Sequence, residues 1–431
     1  MSEKKNLLHQ KRIRSLRTFL IGAAGIVLII SGIYVGQKES EQAYDQYLAR
    51  ARQEDSEQAA VENLKKAQAI LHDKSTAFIS EARIYNSYGE YNKTVILIQR
   101  VETSRSFSVK KNPEMFTELA DAYFLRGDYD QALVLYEELK DIESSTQLDA
   151  EIGYAAVLAR TGDSGQAETE RDDLSDDLEE DQKTYLEAEI SISEKNWQKA
   201  ESGFTSLLQA TDPDLRKRAV FGLAYVYRTD SQKTISDGYT KEINVLNNAM
   251  ESEDLDQSSQ LYRELGEAYD SRATAQNRHN DLYYALDSFR KVINLGDQQE
   301  DVYMRLYQTE MQLNATDSAI RVLEEYEDAF PKDYVPTMLK AQLLKQQEDS
   351  STEKEKDYYT DARKAYESAL KKYRNSLNSI TEATASPSSQ PFSSPSASTD
   401  PEEEFLNEMP DQLKSLYDFF ENEDTQQEEE Q

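Results

Sequence analysis

Residues 113–139 read PEMFTELADAYFLRGDYDQALVLYEEL, and the apolar spacing in this stretch decides the fold. Phe116, Leu119, Ala120 and Tyr123 fall at i, i+3, i+4 and i+7, which places them on one face of an α-helix. Gly127, Asp128 and Tyr129 interrupt that stripe, and Ala132, Leu133, Tyr136 and Leu139 begin a second one. Asn112 can cap the first helix, and Pro113 suits its first position because an N–H there has no intrahelical acceptor. The stretch therefore predicts a helical hairpin with one apolar face on each arm.

The same spacing recurs. Small residues stand at the second-helix anchor position at Ala60, Thr94, Ala132, Ala167, Ala200, Ala285, Ala319 and Ala362, with gaps of 34, 38, 35 and 33 among the first five. Four residues after each comes Leu64, Ile98, Tyr136, Arg171, Phe204, Phe289, Leu323 or Tyr366, so Arg171 alone breaks the expectation of a large apolar residue. First helices match through Phe78/Ala82/Tyr85, Arg218/Gly222/Tyr225 and Tyr262/Gly266/Tyr269. A hairpin cannot bury both faces by itself, so a period of this length means stacking of one unit on the next.

These residues resemble the tetratricopeptide repeat (TPR), and the resemblance runs through most of 41–373. It implies an all-α fold: a right-handed TPR-type α-solenoid of about nine helical hairpins. The small residues would sit where helices cross, since a larger side chain at Ala120 or Ala132 would push backbones apart at about 1–3 kcal/mol. The second helices of the units at Arg218 and Tyr262 are poor or displaced, around Ile243 to Met250 and at Ala285. Gln346 to Lys356 reads as an insertion, and the acidic run ERDDLSDDLEEDQ weakens the fourth unit.

Composition agrees with long helices. The chain has 431 residues with only 14 Gly and 9 Pro, few for sheets with tight turns. Its formal net charge of −33 opposes binding to nucleic acid, which needs a clustered Lys/Arg excess. There is no cysteine, hence no disulfide and no thiolate metal site.

The N-terminus carries a separate signal. Twenty uncharged residues lie between Arg17 and Lys38, including FLIGAAGIVLIISGIYV from Phe19 to Val35; about twenty helical residues span roughly 30 Å, the thickness of a hydrocarbon core. Lys4, Lys5, Lys11, Arg12, Arg14 and Arg17 precede this run, and Glu39, Glu41 and Asp45 follow it. The positive-inside rule then predicts a short basic cytoplasmic tail over 1–18, one transmembrane helix over 19–37, and a repeat domain over 38–376 outside the cytoplasm, anchored in the cell membrane by a single pass. Gly32 and Gly36 have the spacing that lets two membrane helices approach, which allows a homodimer.

The solenoid implies function through its inner surface. By resemblance, residues one, five and eight positions after the large first-helix residue face a concave groove: Ile79, Arg83 and Asn86; Thr117, Asp121 and Phe124; Arg263, Glu267 and Asp270; Met304, Gln308 and Met311. The mixture suits extended or helical peptides as partners. Some relatives grip a peptide carboxylate with Lys and Asn four apart, but Asp45/Ala49, Ile79/Arg83 and Thr117/Asp121 do not match that pair. Catalytic signals are nearly absent: His9, His72 and His279 have no partner at metal-ligand spacing, and there is no phosphate-cradling loop or nucleophile elbow. No cofactor is expected, and the chain reads as a binding scaffold and not an enzyme. An assembly or chaperone-like adaptor of a bacterial cell envelope is the leading role; the alternative is a ligand- or protein-sensing subunit of a membrane signalling complex.

After the repeats, 377–399 is a Ser/Pro/Thr-rich linker without core-forming residues. Residues 400–420 then read as a short amphipathic helix whose Leu413, Leu416, Tyr417 and Phe420 form a stripe fit for docking, ahead of an acidic tail over 421–431.

Overall fold

The computed structural model describes residues 38–54, 57–71, 74–102, 107–234, 237–251, 258–350, 358–384, 405 and 409–429. The chain divides into two compact units, one formed by residues up to 230 with 245–260, the other by 231–244 with 261–431.

The first unit begins with α1 (38–51) and α2 (Glu57–Ile70). Hairpins follow in chain order: α3 (Ser75–Ser87) with α4 (Tyr91–Glu102), α5 (Pro113–Arg126) with α6 (Tyr129–Leu139), α7 (Gln147–Thr161) with α8 (Ser164–Asp173), and α9 (Glu180–Ser193) with α10 (Trp197–Leu207). Then come α11 (Pro213–Thr234), which belongs to this unit as far as 230, and α12 (Gly238–Met250), of which 245–250 belong to this unit and the rest to the second. Each first helix packs on its own second helix and on the next first helix, so α3, α5, α7 and α9 form one wall. The anchors sit where the repeat requires them: Ala60 is 5% exposed, and Thr94, Ala132, Ala167 and Ala200 are fully buried.

Close approach is visible at Gly153 on α7. A Cβ there would lie 2.3 Å from Cε1 of Tyr136, whose ring occupies that space. Gly127 ends α5 with φ +87°, where the Gly127 and Asp128 N–H groups donate to Phe124 and Tyr123 carbonyls and close the helix. The start of α5 departs from expectation: Asn112 is the N-cap with Pro113 behind it, yet its side chain makes no capping bond, and its Oδ1 is buried without a partner.

In the second unit α13 (Ser259–Gln276) pairs with α14 (His279–Asn294), α15 (Glu300–Gln312) with α16 (Thr316–Ala329), and α17 (Val335–Ser350) with α18 (Tyr358–Thr384). Ala285 and Ala319 are fully buried and Ala362 is 1% exposed. The expected insertion at Gln346 is, through Ser350, a continuation of α17, because nothing there breaks a helix. Likewise α18 runs to Thr384, past the start assigned to the linker, since the first proline beyond it is Pro387. A last helix, α19 (Asp411–Glu429), packs on α17 and α18. It starts later than Asp400 and extends through most of the expected acidic tail. Met409, Leu413, Leu416 and Phe420 are buried in the core of this unit, and Phe420 stacks on Tyr366 at 5.0 Å.

The location in a cell membrane by a single pass, with the repeats outside the cytoplasm, needs correction. Among the described residues no helix is long and apolar enough to cross a membrane. The longest, α11 and α18, have the length but too much charge: α11 carries Asp214, Arg216, Lys217 and Arg218 before its uncharged stretch and Arg228 after it, and α18 is charged throughout. The expected span over 19–37, with Gly32 and Gly36, lies outside the described residues.

Candidate functional site

The wall of first helices in the first unit encloses a cavity of about 430 Å³. Helix periodicity brings its lining together: Arg83, Asn86 and Ser87 come from successive turns of α3, Thr117, Asp121 and Leu125 from one stripe of α5, and Asp149 and Ile152 from α7. Asp214, Lys217 and Arg218 come from the first turns of α11, which closes the opposite side.

Arg218 is the keystone of that closure. Its Nη2 donates to Asp121 Oδ1 at 2.5 Å, its Nη1 reaches the Tyr185 hydroxyl at 3.4 Å, and its guanidinium lies over the rings of Phe124 and Tyr185 at 5.4 and 5.6 Å. Tyr136 donates its hydroxyl to the same Asp121 oxygen at 2.5 Å. Burial disfavours the Arg218 cation, but Asp121, Tyr185 and Tyr136 together more than offset this and its pKa is raised. Nearby, Phe221 on α11 meets Tyr91 edge-on at 6.2 Å.

A second ion pair faces it. Arg83 Nε donates to Glu118 Oε1 at 2.8 Å, and Asn86 Nδ2 donates to Glu118 Oε2 at 3.0 Å and to its backbone carbonyl at 2.9 Å. Burial, reinforced by the Asp121 charge, pushes the Glu118 carboxyl up to about 7 despite Arg83. Asp149 still touches water, but the surrounding protein withdraws solvent from it; this and the charge of Asp121 raise its pKa. Lys217, its side chain 5% exposed, pairs with Asp214 at 3.2 Å. Tyr91 is 1% exposed and its hydroxyl has no hydrogen-bond partner. The lining thus holds five carboxylates, Glu118, Asp121, Asp149, Asp212 and Asp214, against the three cations Arg83, Lys217 and Arg218.

The structure brings four of the expected groove residues, Arg83, Asn86, Thr117 and Asp121, into this one cavity. Ile79 instead packs partly buried against the core, and Phe124 is 5% exposed, covered by Arg218. In the second unit Arg263 pairs with Asp301, Glu267 with Arg305 at 3.9 Å, and Asp270 accepts from Gln312 at 3.0 Å, so these three tie α13 to α15. Met304 and Met311 pack against the core and Gln308 is exposed. In the C-terminal segment Leu413, Leu416 and Phe420 are buried and Tyr417 half-buried on their own unit. Sequence reasoning missed Tyr91, Glu118, Asp149, Asp214, Lys217 and Arg218 as cavity residues. The one available signal was Arg218, a charged residue at the place of a large first-helix aromatic.

No protein-family model matches the chain, and no curated protein matches it. Among solved structures it is similar to a tetratricopeptide repeat protein from Parabacteroides merdae, at 17% identity over 62% of this chain and 99% of that one, with a TM-score of 0.36. It is similar also to the APC/C hetero-tetramer Cut9–Hcn1, at 16% identity over 70% of this chain and 54% of that one, TM-score 0.36. A third is the human IFIT1 dimer with m7Gppp-AAAA, at 14% identity over 76% and 77%, TM-score 0.37. These neighbours are tetratricopeptide-repeat proteins. The TPR-type reading of this chain rests on its own buried anchors and hairpin order.

Proposed function

We propose that the protein is a non-catalytic binding scaffold, an assembly or chaperone-like adaptor that reads a short polar stretch of a partner polypeptide in the cavity of its first unit. One observation carries this reading: side chains from α3, α5, α7 and α11 converge on a single cavity, and ion pairs hold those of α3, α5 and α11 there. Buried polar groups are costly unless matched, so a prearranged set of them selects a polar ligand. A volume near 430 Å³ suits a few side chains and not a whole helix, which is about 10–12 Å across. Carboxylates outnumber cations in the lining, which opposes phosphate-rich ligands such as nucleic acid.

Site-specific photo-crosslinking tests the reading. Ser87 lies at the exposed rim, whereas Val134 on α6 is 66% exposed and lines no part of the cavity. A benzoylphenylalanine at position 87 should yield a polypeptide adduct in cells that the same group at position 134 does not. Equal adducts from both, or none from position 87, would remove the cavity from partner binding.

A further inference from the structure

Each cation in the cavity already has its counter-charge: Arg83 is neutralised by Glu118, Arg218 by Asp121 and Lys217 by Asp214. Two carboxylates remain, Asp149 on α7 and Asp212 at the entry to α11, and the charge of Asp212 reaches Asp149. Asp212 Oδ1 receives the Asp214 N–H at 2.9 Å, and among the described residues no ion pair matches its charge. Tyr91 adds an independent observation. Its ring lines the same cavity, its hydroxyl is buried without a partner, and the charges of Asp214, Arg218 and Asp121 reach it. A buried hydroxyl left unsatisfied is costly, and a ligand donor would recover that cost. Leu125, Ile152 and Leu215 supply apolar wall beside these groups.

We propose that this cavity takes the guanidinium or ammonium group of a basic side chain, drawn by the carboxylates Asp149 and Asp212, with the Tyr91 hydroxyl and the apolar side chains of Leu125, Ile152 and Leu215 in the same lining. The inference rests on the reading that a polypeptide enters the cavity, and it names the chemistry of the residue that enters. An aliphatic stem with a cationic tip matches a lining that offers both apolar side chains and carboxylates. A bare metal ion fits less well, since among the described residues no three His, Cys, Asp or Glu groups are placed to hold one. An anion would meet the carboxylate excess.

Calorimetric titration of the full chain with the peptide acetyl-Gly-Arg-Gly-amide tests this, with the Glu-centred peptide, spermidine and calcium chloride as comparison probes. The Arg peptide should bind saturably and the Glu peptide should not. Asp149→Asn should weaken the Arg peptide about tenfold, the loss of one charge-assisted hydrogen bond. Tyr91→Phe should weaken it several-fold while leaving the melting temperature unchanged or higher, because it removes an unsatisfied group. Asp212→Asn, at an exposed position, serves as the variant whose folding is not at issue. Binding should also weaken as pH falls from about 8 to about 6, because Glu118 then protonates and frees Arg83 to repel a cation; Asp121, Asp149, Asp212, Asp214, Lys217 and Arg218 are the other charged groups facing that space. Equal binding of the Arg and Glu peptides, indifference to Asp149→Asn and Asp212→Asn, or tighter binding of calcium would overturn the inference. Spermidine binding more tightly than the peptide would overturn the assignment to a partner's side chain. Adduct formation at position 87 without Arg-peptide binding would leave the scaffold reading intact and sink only this inference.

Discussion

Tyr136 shows how one side chain serves both fold and site. Its ring fills the space where Gly153 has no Cβ, and its hydroxyl holds Asp121, which in turn holds Arg218. Because the ring is tethered at its tip, it cannot swing away from an added methyl. Gly153→Ala should therefore destabilise the first unit by about 1–3 kcal/mol, read as a lower melting temperature. The buried pair Arg160–Glu189 is a second such point: the side chains are 4% and 1% exposed, and the guanidinium also lies 4.3 Å from the Tyr225 ring centroid. Arg160→Met strands the Glu189 carboxylate and should cost about 3–5 kcal/mol in chemical denaturation. Glu118 makes the residue scale sensitive to pH. With its folded pKa near 7 against an ordinary 4.5, it binds its proton more tightly folded than unfolded. Its contribution to stability is fully present below pH 4.5 and is lost as pH rises through 7, by up to about 3 kcal/mol. Denaturant titrations across that window should show the decline, and Glu118→Gln should flatten it.

At the scale of elements, the end of the second unit depends on α19. Leu413, Leu416 and Phe420 are almost fully buried against α17 and α18, and Lys345 lies 3.7 Å from the Phe419 ring centroid. Each such apolar side chain is worth roughly 1.5–3 kcal/mol when buried. Leu416→Ser with Phe420→Ser should release α19 and speed amide exchange in α17 and α18, while leaving α5 and α6 unchanged. Unaltered exchange in α17 would show that the last hairpin does not need this cover. The hairpins themselves were legible in sequence because their cause is local: Ala132 and Ala200 sit at fixed distances from Tyr123 and Tyr136 or from Tyr185 and Phe204, and a helix turns such spacing directly into a face. The docking stripe of α19 was legible for the same reason. Its receptor was not, because the groove formed by α17 and α18 exists only after those helices pack.

For the whole molecule, charge and long-range pairing set what the sequence could not disclose. The pairing of Asp121 with Arg218 joins residues 97 apart and depends on how tightly successive first helices turn, a quantity no single repeat encodes. Residues such as Thr117 and Asp121 could be placed on the inner face from their positions, whereas the closure of that face into a cavity by α11 could not. The formal net charge of −33 means a basic segment is attracted from a distance, so peptide binding should weaken as ionic strength rises, most steeply where the Debye length falls below about 10 Å. A salt-independent affinity would point to apolar recognition elsewhere. The most direct measurement is hydrogen exchange on the full chain with and without the polypeptide recovered by crosslinking at position 87. Slowed exchange in α3, α5, α7 and the first turns of α11 is the expected result; protection confined to the second helices α4, α6 and α8 would contradict binding in the cavity.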